Sequence, residues 1–287
     1  MRNPDPTPAT SRAPEKARPE DGLFIPLPEA NHFQPTPRTG GPWDPKFQHG
    51  GPVSGLLAHA IDHEPAPVPM RIVRLTVELF RGVPLTPLRV ETRLVRGGKR
   101  IQSIEATLYD GATAVARASA LRMRRSDADA DQASDLPLDP ALGRPPEVVP
   151  SILESRRFAE GTILMPGFIR AVDIVTDPPK RAGEPGNAWT RLLCRVVEGE
   201  DPSPTVRLAT LVDFASGTGS ALDYARYTSI NPDLSIHVLR EPRTAWIGLR
   251  GYTGFSADGV GQSQASVYDE EGLVARVQAS LLLERRP

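Results

Sequence analysis

The chain has 287 residues, which is enough for one large domain or two modest domains with a sizeable core. Its 34 Lys and Arg residues nearly balance 35 Asp and Glu residues, so the net charge of −1 argues against nucleic acid as the main partner. The single cysteine, Cys194, excludes an intrachain disulfide, and no cysteine–histidine cluster has zinc-ligand spacing, so we expect no metal.

Two stretches lack the apolar period of a folded element. Residues 1–20 are rich in Pro, Ala and charge and lack the apolar core of a secretory signal, so they are predicted to form a disordered tail. Residues 126–165, whose first part is rich in Asp and Pro, are predicted to be a linker. No apolar run approaches the roughly 18–20 residues of a membrane span, so we expect a cytoplasmic protein.

The N-terminal segment, residues 21–125, is predicted to contain one helix followed by four strands. Gly50-Gly51-Pro52 opens an apolar stretch to residue 61 with helical spacing, and proline suits the first helical turn. Apolar and polar residues then alternate over residues 73–80, 88–94, 103–108 and 114–123, as in strands with one buried face. The last strand offers an alanine face on which a helix could lie close.

The C-terminal segment, residues 166–287, is predicted to repeat this plan. Strands are expected at residues 168–175 and 189–197, a helix at 212–227, and strands at 234–240, 245–253, 262–268 and 273–283. Three matches lie 159 positions apart, namely Tyr109-Asp110 with Tyr268-Asp269, Val115-Ala116-Arg117 with Val274-Ala275-Arg276, and Arg81 with Arg240. This offset aligns Asp213 with Ser54 and Gln278 with Ser119, which predicts one site per chain.

The duplication predicts an α+β fold. One antiparallel sheet wrapped on a helix leaves an open edge, and two such units can pair their edges into one extended sheet. Helix and four antiparallel strands, present twice, form the double hotdog plan. We therefore expect two antiparallel sheets, each wrapped on a long helix and joined into one.

Several stretches resemble the acyl-CoA thioesterase II and thioesterase-like superfamily of double-hotdog proteins. They are residues 49–57 (HGGPVSGLL), 95–100 (VRGGKR), 208–217 (LATLVDFASG), 229–234 (SINPDL) and 274–279 (VARVQA). The resemblance implies a thioester hydrolase of fatty acid metabolism, with an acyl-CoA or acyl-carrier thioester as substrate. Coenzyme A is then part of the substrate, no separate cofactor is expected, and further pairing into a dimer or tetramer is implied.

The resemblance also implies the catalytic residues. The family places an Asp, a Thr or Ser, and a Gln around one water, without a covalent intermediate. By position these are Asp213 and Gln278, while Asn231 stands at the hydroxyl position. An amide can orient water, but it offers two distinct ends where a hydroxyl rotates. Activity and substrate range depend on that departure.

Thioester hydrolysis needs an activated water and a polarised carbonyl, whereas the thiolate leaves easily. Asp213 would accept the water's proton; burial would raise the pKa of its carboxyl and a helix N-terminus would lower it. Asn231 and Gln278 would orient the water, and backbone N–H groups at Gly50 and Gly51 would hold the carbonyl oxygen. His49 could be a base or a carbonyl donor, although packing or helix capping is the more common role.

Structural or solvent-exposed roles are expected for several other residues. Asp233 is expected to support a strand start, and the tryptophans Trp43, Trp189 and Trp246 are expected to fill the core rather than line an acyl tunnel. The basic turn of Arg96, Lys99 and Arg100 could meet coenzyme A phosphates, but a solvated hairpin tip is the commoner case.

Competing functions remain open. The sequence has no Gly-x-Ser-x-Gly elbow for a serine hydrolase, and Cys194 has no nearby histidine. An enoyl hydratase or dehydratase would need an Asp–His pair, and neither His49 nor His237 has a carboxylate partner in sequence. An acyl-binding or carrier-protein-interacting module without hydrolysis is the other alternative.

Overall fold

The computed structural model describes residues 16–126, 134–147, 149 and 167–286. Residues 1–15 of the predicted tail and most of the predicted linker lie outside the described residues. Lys16 and Ala17, which the prediction assigned to the tail, instead contact the C-terminal half. The Lys16 Nζ atom lies 2.5 Å from Asp173 Oδ1, and the Ala17 amide donates to the Arg170 carbonyl at 2.8 Å.

The described chain forms three α-helices, several short 3₁₀ segments and fourteen strands. The α-helices are α1 (Gly50–Asp62), α2 (Pro204–Leu211) and α3 (Ala215–Thr218), and the 3₁₀ turn between the last two spans Val212–Phe214. The strands are β1 (Gly22–Pro26), β2 (His32–Pro35), β3 (Met70–Leu79), β4 (Leu88–Arg96), β5 (Ile101–Asp110), β6 (Thr113–Arg124), β7 (Val172–Asp177), β8 (Gly186–Leu192), β9 (Arg195–Val197), β10 (Tyr227–Ile230), β11 (Asp233–Val238), β12 (Ile247–Phe255), β13 (Val260–Asp269) and β14 (Gly272–Arg285). None of the described helices has the length and apolar character needed to cross a bilayer.

All fourteen strands belong to one sheet. Its order is β7-β8-β12-β13-β14-β11-β3-β6-β5-β4-β2-β1-β9, with β10 also paired to β14. The two halves meet where β3 and β11 pair antiparallel, with Leu75 opposite Ile236. Only the β1–β9 pair is parallel among the described pairs, which makes the sheet mixed. This is the expected double hotdog, because each half contributes one curved sheet to a continuous whole.

Helix α1 is buried against the sheet of the first half. Leu56, Leu57 and Ile61 are fully buried, and each such side chain contributes roughly 1.5–3 kcal/mol through burial. The alanine face of β6 is buried as predicted at residues 116, 118 and 120. Small side chains there let the helix approach closely, so the pattern of the sequence and the packing agree.

The helical segment of the second half differs from the prediction of one long helix over residues 212–227. Helix α2 begins at Pro204 after the N-cap Ser203, whose Oγ accepts from the Val206 amide at 3.3 Å. The segment then passes through the 3₁₀ turn and ends with α3 at Thr218. The Ser-Pro start was the missed signal, since proline at the first helical position and serine at the N-cap mark a helix start.

The 159-residue offset holds for the strands and fails for the helices. Strands β4 and β12, and likewise β5 and β13, begin and end 159 positions apart. Helices α1 and α2 begin only 154 positions apart, at Gly50 and Pro204. Counted from these helix starts, Asp213 aligns with His59, the tenth residue of α1, whereas the 159-residue offset of the strands aligns it with Ser54.

Residues 134–147, predicted to be linker, pack on the second half. Leu142 is buried in a small cluster with Trp189 and Trp246. The Leu273 amide donates to the Leu136 carbonyl at 2.8 Å. This part of the segment belongs physically to the C-terminal half.

Candidate active site

A cavity of about 490 Å³ opens where the start of α1 meets the 3₁₀ turn of the second half. Its polar lining includes Gln48, His49, Asp213, Ser216 and Asn231. Its apolar lining includes Pro42, Trp43, Phe47, Val53, Leu79, Phe80, Val83 and Ile230. A few converging polar groups within a mostly apolar cleft are typical of a small-molecule site.

Asp213 is the centre of the polar cluster. It is 3% exposed, and both carboxylate oxygens have partners. The His49 Nδ1 atom lies 2.8 Å from Oδ2, and the Asn231 Nδ2 atom donates to Oδ1 at 2.7 Å. The structure thus joins three of the predicted site residues through one carboxylate.

The tautomer of His49 follows from its neighbours. Nδ1 lies 2.8 Å from the carboxylate and 3.2 Å from the Gly51 amide, and one ring nitrogen cannot donate to the first and accept from the second. The shorter contact, to a charged acceptor, requires a proton on Nδ1, so the Gly51 amide is left to donate to the Asp213 carboxylate. In the neutral ring with this tautomer, Nε2 is the nitrogen that carries the lone pair. Phe168 and Phe214 flank the ring, with centroids 5.0 and 5.2 Å away, and fix its orientation.

The carboxyl of Asp213 is ionised despite its burial. Burial alone would raise its pKa, but the opposing effects of His49, the Asn231 amide and the Gly51 N–H outweigh burial and lower the pKa below its ordinary value. The N-terminus of α1 also points at this carboxylate. Asp213 lies in the 3₁₀ turn after α2 and not at its own helix start, so the favourable dipole comes from the other half of the protein.

The two glycines at the start of α1 are required by close packing. A Cβ on Gly50 would lie 2.9 Å from Asp213 Oδ2, and a Cβ on Gly51 would lie 2.4 Å from the Thr210 carbonyl oxygen. Any side chain there would push the two halves apart. Gly50 lines the cavity, whereas the Gly51 N–H is already used, so the predicted oxyanion role fits Gly50 better than Gly51.

Asn231 is held at the cavity by the junction between the halves. It lies in the turn between β10 and β11, and the Leu79 amide of the first half donates to the neighbouring Pro232 carbonyl at 2.7 Å. Since its Nδ2 is occupied by Asp213, its Oδ1 remains as an acceptor. Asp233 accepts from the Ser280 amide at 2.7 Å, in agreement with the predicted supporting role.

Gln278 does not belong to this cluster, and its predicted place beside the same water is wrong. It lies on the exposed face of β14, opposite Ser235 on β11 and Gln264 on β13. Its neighbours Val277 and Ala279 are the residues that face the core. Successive side chains of a strand point to opposite faces, so Gln278 cannot face the cavity from this position.

The structure also decides the other candidates. Cys194 is buried, and burial raises the pKa of its thiol to about 12, which excludes a reactive thiolate. His237 is exposed on the outer face of β11. The basic turn at Lys99 and Arg100 is an exposed hairpin tip between β4 and β5.

Trp43 and Arg81 are functional candidates that sequence reasoning misjudged. Trp43 lines the cavity instead of filling the core, while Trp189 and Trp246 are buried as predicted. Arg81 is exposed at the cavity, whereas its duplicated partner Arg240 is locked to the Asp269 carboxylate at 2.6 and 2.7 Å. The signal was present in the duplicated arginine pair, but only the fold distinguishes the exposed copy, Arg81, from Arg240, which is ion-paired with Asp269.

Comparison with known proteins identifies the family. Residues 133–283, more than half of the chain, match the acyl-CoA thioesterase C-terminal domain, and residues 39–123 match the acyl-CoA thioesterase N-terminal domain. The chain therefore belongs to the acyl-CoA thioesterase family, whose members are thioester hydrolases. No curated protein matches the sequence.

Solved structures share the fold at low identity. An acyl-CoA thioesterase II from Mycobacterium marinum is 14% identical with a TM-score of 0.63, over 92% of this chain and 96% of that chain. A hot dog fold protein of unknown function from Alicyclobacillus acidocaldarius is 15% identical with a TM-score of 0.66, over 89% and 93%. The dehydratase domain from the CurJ module of curacin polyketide synthase is 11% identical with a TM-score of 0.52, over 91% and 96%.

Proposed function

We propose that this protein hydrolyses an acyl thioester of coenzyme A or of a carrier protein, with water activated by a His49–Asp213 pair. The observation that carries this proposal is the 2.8 Å contact between His49 Nδ1 and Asp213 Oδ2 beside a mostly apolar cavity. The pair replaces the Asp–Asn–Gln arrangement that the family resemblance implied. Membership of a family of thioester hydrolases supports the reaction, and the geometry supports this choice of residues.

In this mechanism His49 is the base and Asp213 orients it. The unprotonated Nε2 of His49 takes a proton from a water in the cavity, and the water oxygen attacks the thioester carbon. The Asp213 carboxylate, with its lowered pKa, stays ionised and stabilises the imidazolium that forms. General base catalysis of this kind contributes about 10²–10⁴-fold. Asn231 Oδ1 accepts the second hydrogen of the water and fixes its lone pair.

The carbonyl oxygen becomes negatively charged when water adds. Helix α1 begins at the cavity, and the backbone N–H of Gly50 is available there because the first N–H groups of a helix have no partner within it. When the carbon–sulfur bond breaks, the thiolate leaves and the imidazolium returns its proton. The products are a carboxylic acid and a thiol, and no covalent intermediate is required.

The apolar lining and Arg81 suit the two ends of such a substrate. Phe47, Phe80 and Ile230 are 38, 48 and 39% exposed around the cavity, which is unusual for large apolar side chains and fits contact with an acyl chain. Arg81 adds an exposed guanidinium beside them, suitable for a phosphate of coenzyme A or of a carrier's phosphopantetheine.

The test is thiol release from a panel of acyl-CoA lengths by the full chain and by His49→Gln, Asp213→Asn and Gln278→Ala. We expect the first two to lose activity and the third to retain it. Circular dichroism spectra show whether each variant is folded. Loss of activity in Gln278→Ala with full activity in His49→Gln would refute the proposed pair and restore the Asp–Asn–Gln arrangement.

One observation favours a second candidate, an enoyl hydratase or dehydratase. Such an enzyme needs an acid–base pair, and the structure supplies the carboxylate partner of His49 that the sequence did not reveal. The fold is also shared with a dehydratase domain. Addition of water to enoyl-CoA, measured in the same samples, separates the two reactions. Tight acyl-CoA binding without either reaction would support the binding module.

A further inference from the structure

A second cluster of ionisable side chains lies at the other end of α1, away from the cavity. His59 and His63 stand one helical turn apart, and Glu200 follows β9 in the second half. The Glu200 Oε2 atom lies 2.8 Å from His59 Nε2 and 3.3 Å from His63 Nε2. Three potential ligand atoms from two halves of the chain thus converge on one point.

The hydrogen bonds show where the lone pairs point. His63 Nδ1 lies 2.8 Å from the His59 carbonyl oxygen, which can only accept, so Nδ1 carries the proton. In the neutral ring, Nε2 therefore presents its lone pair to the Glu200 carboxylate. Two acceptors at 3.3 Å repel each other unless a cation lies between them. The point between these two atoms therefore suits a cation.

His59 adds a second imidazole, which is 8% exposed and whose Nε2 atom lies 2.8 Å from Glu200 Oε2. A neutral imidazole is the form that coordinates a metal. Asp62 directly precedes His63 in the sequence and adds a negative charge beside the cluster.

We infer that His59 Nε2, His63 Nε2 and a carboxylate oxygen of Glu200 form a binding site for a divalent transition metal ion such as Zn²⁺. Imidazole and carboxylate are the ligand types that suit zinc. Ligand atoms at roughly 2.0–2.1 Å from a tetrahedral ion lie about 3.3 Å apart, close to the present contacts. All three candidate atoms lie within 4.8 Å of one another, so only small side-chain movements are needed.

The surroundings permit entry and hold the third ligand in place. His63 and Glu200 side chains are 61 and 46% exposed, which leaves room for a water as fourth ligand. Glu200 stands on a tight turn in which its amide donates to the Val197 carbonyl at 3.2 Å and Gly199 has a φ of +83°. A bound ion would link the C-terminal end of α1 to the second half and thereby stabilise the packing of the two halves against each other.

The site has a structural relation to the proposed active site but does not depend on it. His59 and Asp213 are each the tenth residue of their helical segments. Each contacts a side chain that precedes the helix of the other half, namely Glu200 for His59 and His49 for Asp213. The duplicated fold thus has a histidine–carboxylate contact between its halves at each end of α1. A sequence search for cysteine–histidine clusters misses this one because Glu200 is 137 residues from His63.

The experiment is a titration of the chelator-treated full chain with Zn²⁺ by calorimetry, and with Co²⁺ by visible absorption. We expect one ion per chain and a tetrahedral Co²⁺ spectrum. The two exposed ligands are changed one at a time, as His63→Ala and Glu200→Gln. Each change should weaken Zn²⁺ binding at least tenfold. His32→Ala is the matched control, because His32 is also a partly exposed histidine near a glutamate, Glu29, and it should bind as the unchanged chain does.

Thermal unfolding gives an independent measurement. At a Zn²⁺ concentration about a hundredfold above Kd, Tm should rise by roughly 5 °C in the unchanged chain and in His32→Ala. The double variant of His63 and Glu200 should show no rise. Equal Zn²⁺ affinity or an equal Tm shift in the double variant would overturn the inference, as would absence of binding to the unchanged chain. Loss of thioester hydrolysis has no bearing on these readouts.

Discussion

The two junctions between the halves pair the same two chemical groups in different surroundings. At the first, His49 before α1 meets Asp213 of the second half, which is 3% exposed. At the second, His59 of α1 meets Glu200 before α2, whose side chain is 46% exposed. Both are carboxylate–imidazole pairs at 2.8 Å. The difference teaches that burial and an adjoining cavity, more than the pair itself, determine which junction can perform a reaction.

The helix starts differ in a way that matches this division. Helix α1 begins with Gly50 and Gly51, so its N-terminus is open to a close approach by Asp213 and by a ligand in the cavity. Helix α2 begins with Pro204 and the buried Thr205, after a serine cap. The side chains of these residues and the serine cap cover the N-terminus of α2. The Glu200 carboxylate precedes the helix in the chain and contacts α1 instead.

The largest expected effect is on the chemical step at the first junction. His49→Gln should lower kcat about 10²–10⁴-fold, because the variant retains polarity but has no base for the water. Steady-state thiol release measures it. The matching change at the second junction, Glu200→Gln, should leave kcat unchanged. A similar kcat loss in both variants would mean that the junctions act together, against the division proposed above.

The second effect concerns packing at the start of α1. Gly51→Ala should cost about 1–3 kcal/mol in the free energy of unfolding, since its Cβ would meet the Thr210 carbonyl oxygen at 2.4 Å. Urea unfolding measures the cost. Gly217→Ala in α3 is the control, because the nearest atom to its Cβ, Tyr224 Oη, is 3.8 Å away. Equal stability of the two variants would contradict close docking at this junction.

The third effect is the pH dependence of stability at the buried pair. The pKa of Asp213 is lower in the folded than in the unfolded chain, so its ionised form stabilises the protein above the ordinary value of 3.8. That contribution is lost as pH falls through the folded pKa. We expect Asp213→Asn to be less stable than the unchanged chain by about 1–3 kcal/mol at neutral pH.

The stability difference between Asp213→Asn and the unchanged chain should shrink on acidification. Urea unfolding at a series of pH values measures it, with Glu200→Gln as the reference from the second junction. A difference that grows below the ordinary aspartate pKa would show that the folded state favours the protonated carboxyl, contrary to the hydrogen bonds described.

The smallest expected effect is on substrate binding at the mouth of the cavity. Arg81→Ala should raise KM for an acyl-CoA about two- to fivefold with kcat unchanged, because an exposed guanidinium interacts weakly with phosphate. The effect should vanish with a short thioester that has no phosphate. Arg100→Ala at the hairpin tip is the control, and an equal KM change there would remove the role assigned to Arg81.

The sequence predicted most of the strands well, missed β1, β2 and β10, and placed the second helix poorly. Alternation fixes both the existence and the face of β4, β5 and their counterparts, because the strand period is two. The start of α2 depends on Ser203 and Pro204, a local signal that lay outside the apolar stretch used to place the helix. That error moved Asp213 to a helix start, whereas its alignment with Ser54 came from the offset of the strands.

The candidate site was predicted in part. Asp213 and Asn231 were named from the family resemblance as two residues around one water, and in the structure Asn231 Nδ2 donates directly to Asp213 Oδ1 at 2.7 Å. Gln278 was named from the same resemblance. It alternates with buried residues along β14 and therefore lies on the exposed face, together with Arg276 and Ser280. A shift of one residue on a strand reverses the face, so a short motif match cannot by itself place a side chain in a cavity.

The sequence by itself determined the duplicated unit, its strands and the family, because these depend on periodicity and on motifs that are local in the chain. Only the tertiary structure decided which side chains share a site. The His49–Asp213 pair spans 164 residues and the Glu200 pairs span 141 and 137 residues. Such contacts form when two sheets and two helices dock, and their 2.8 Å geometry depends on helix registers that no local pattern contains.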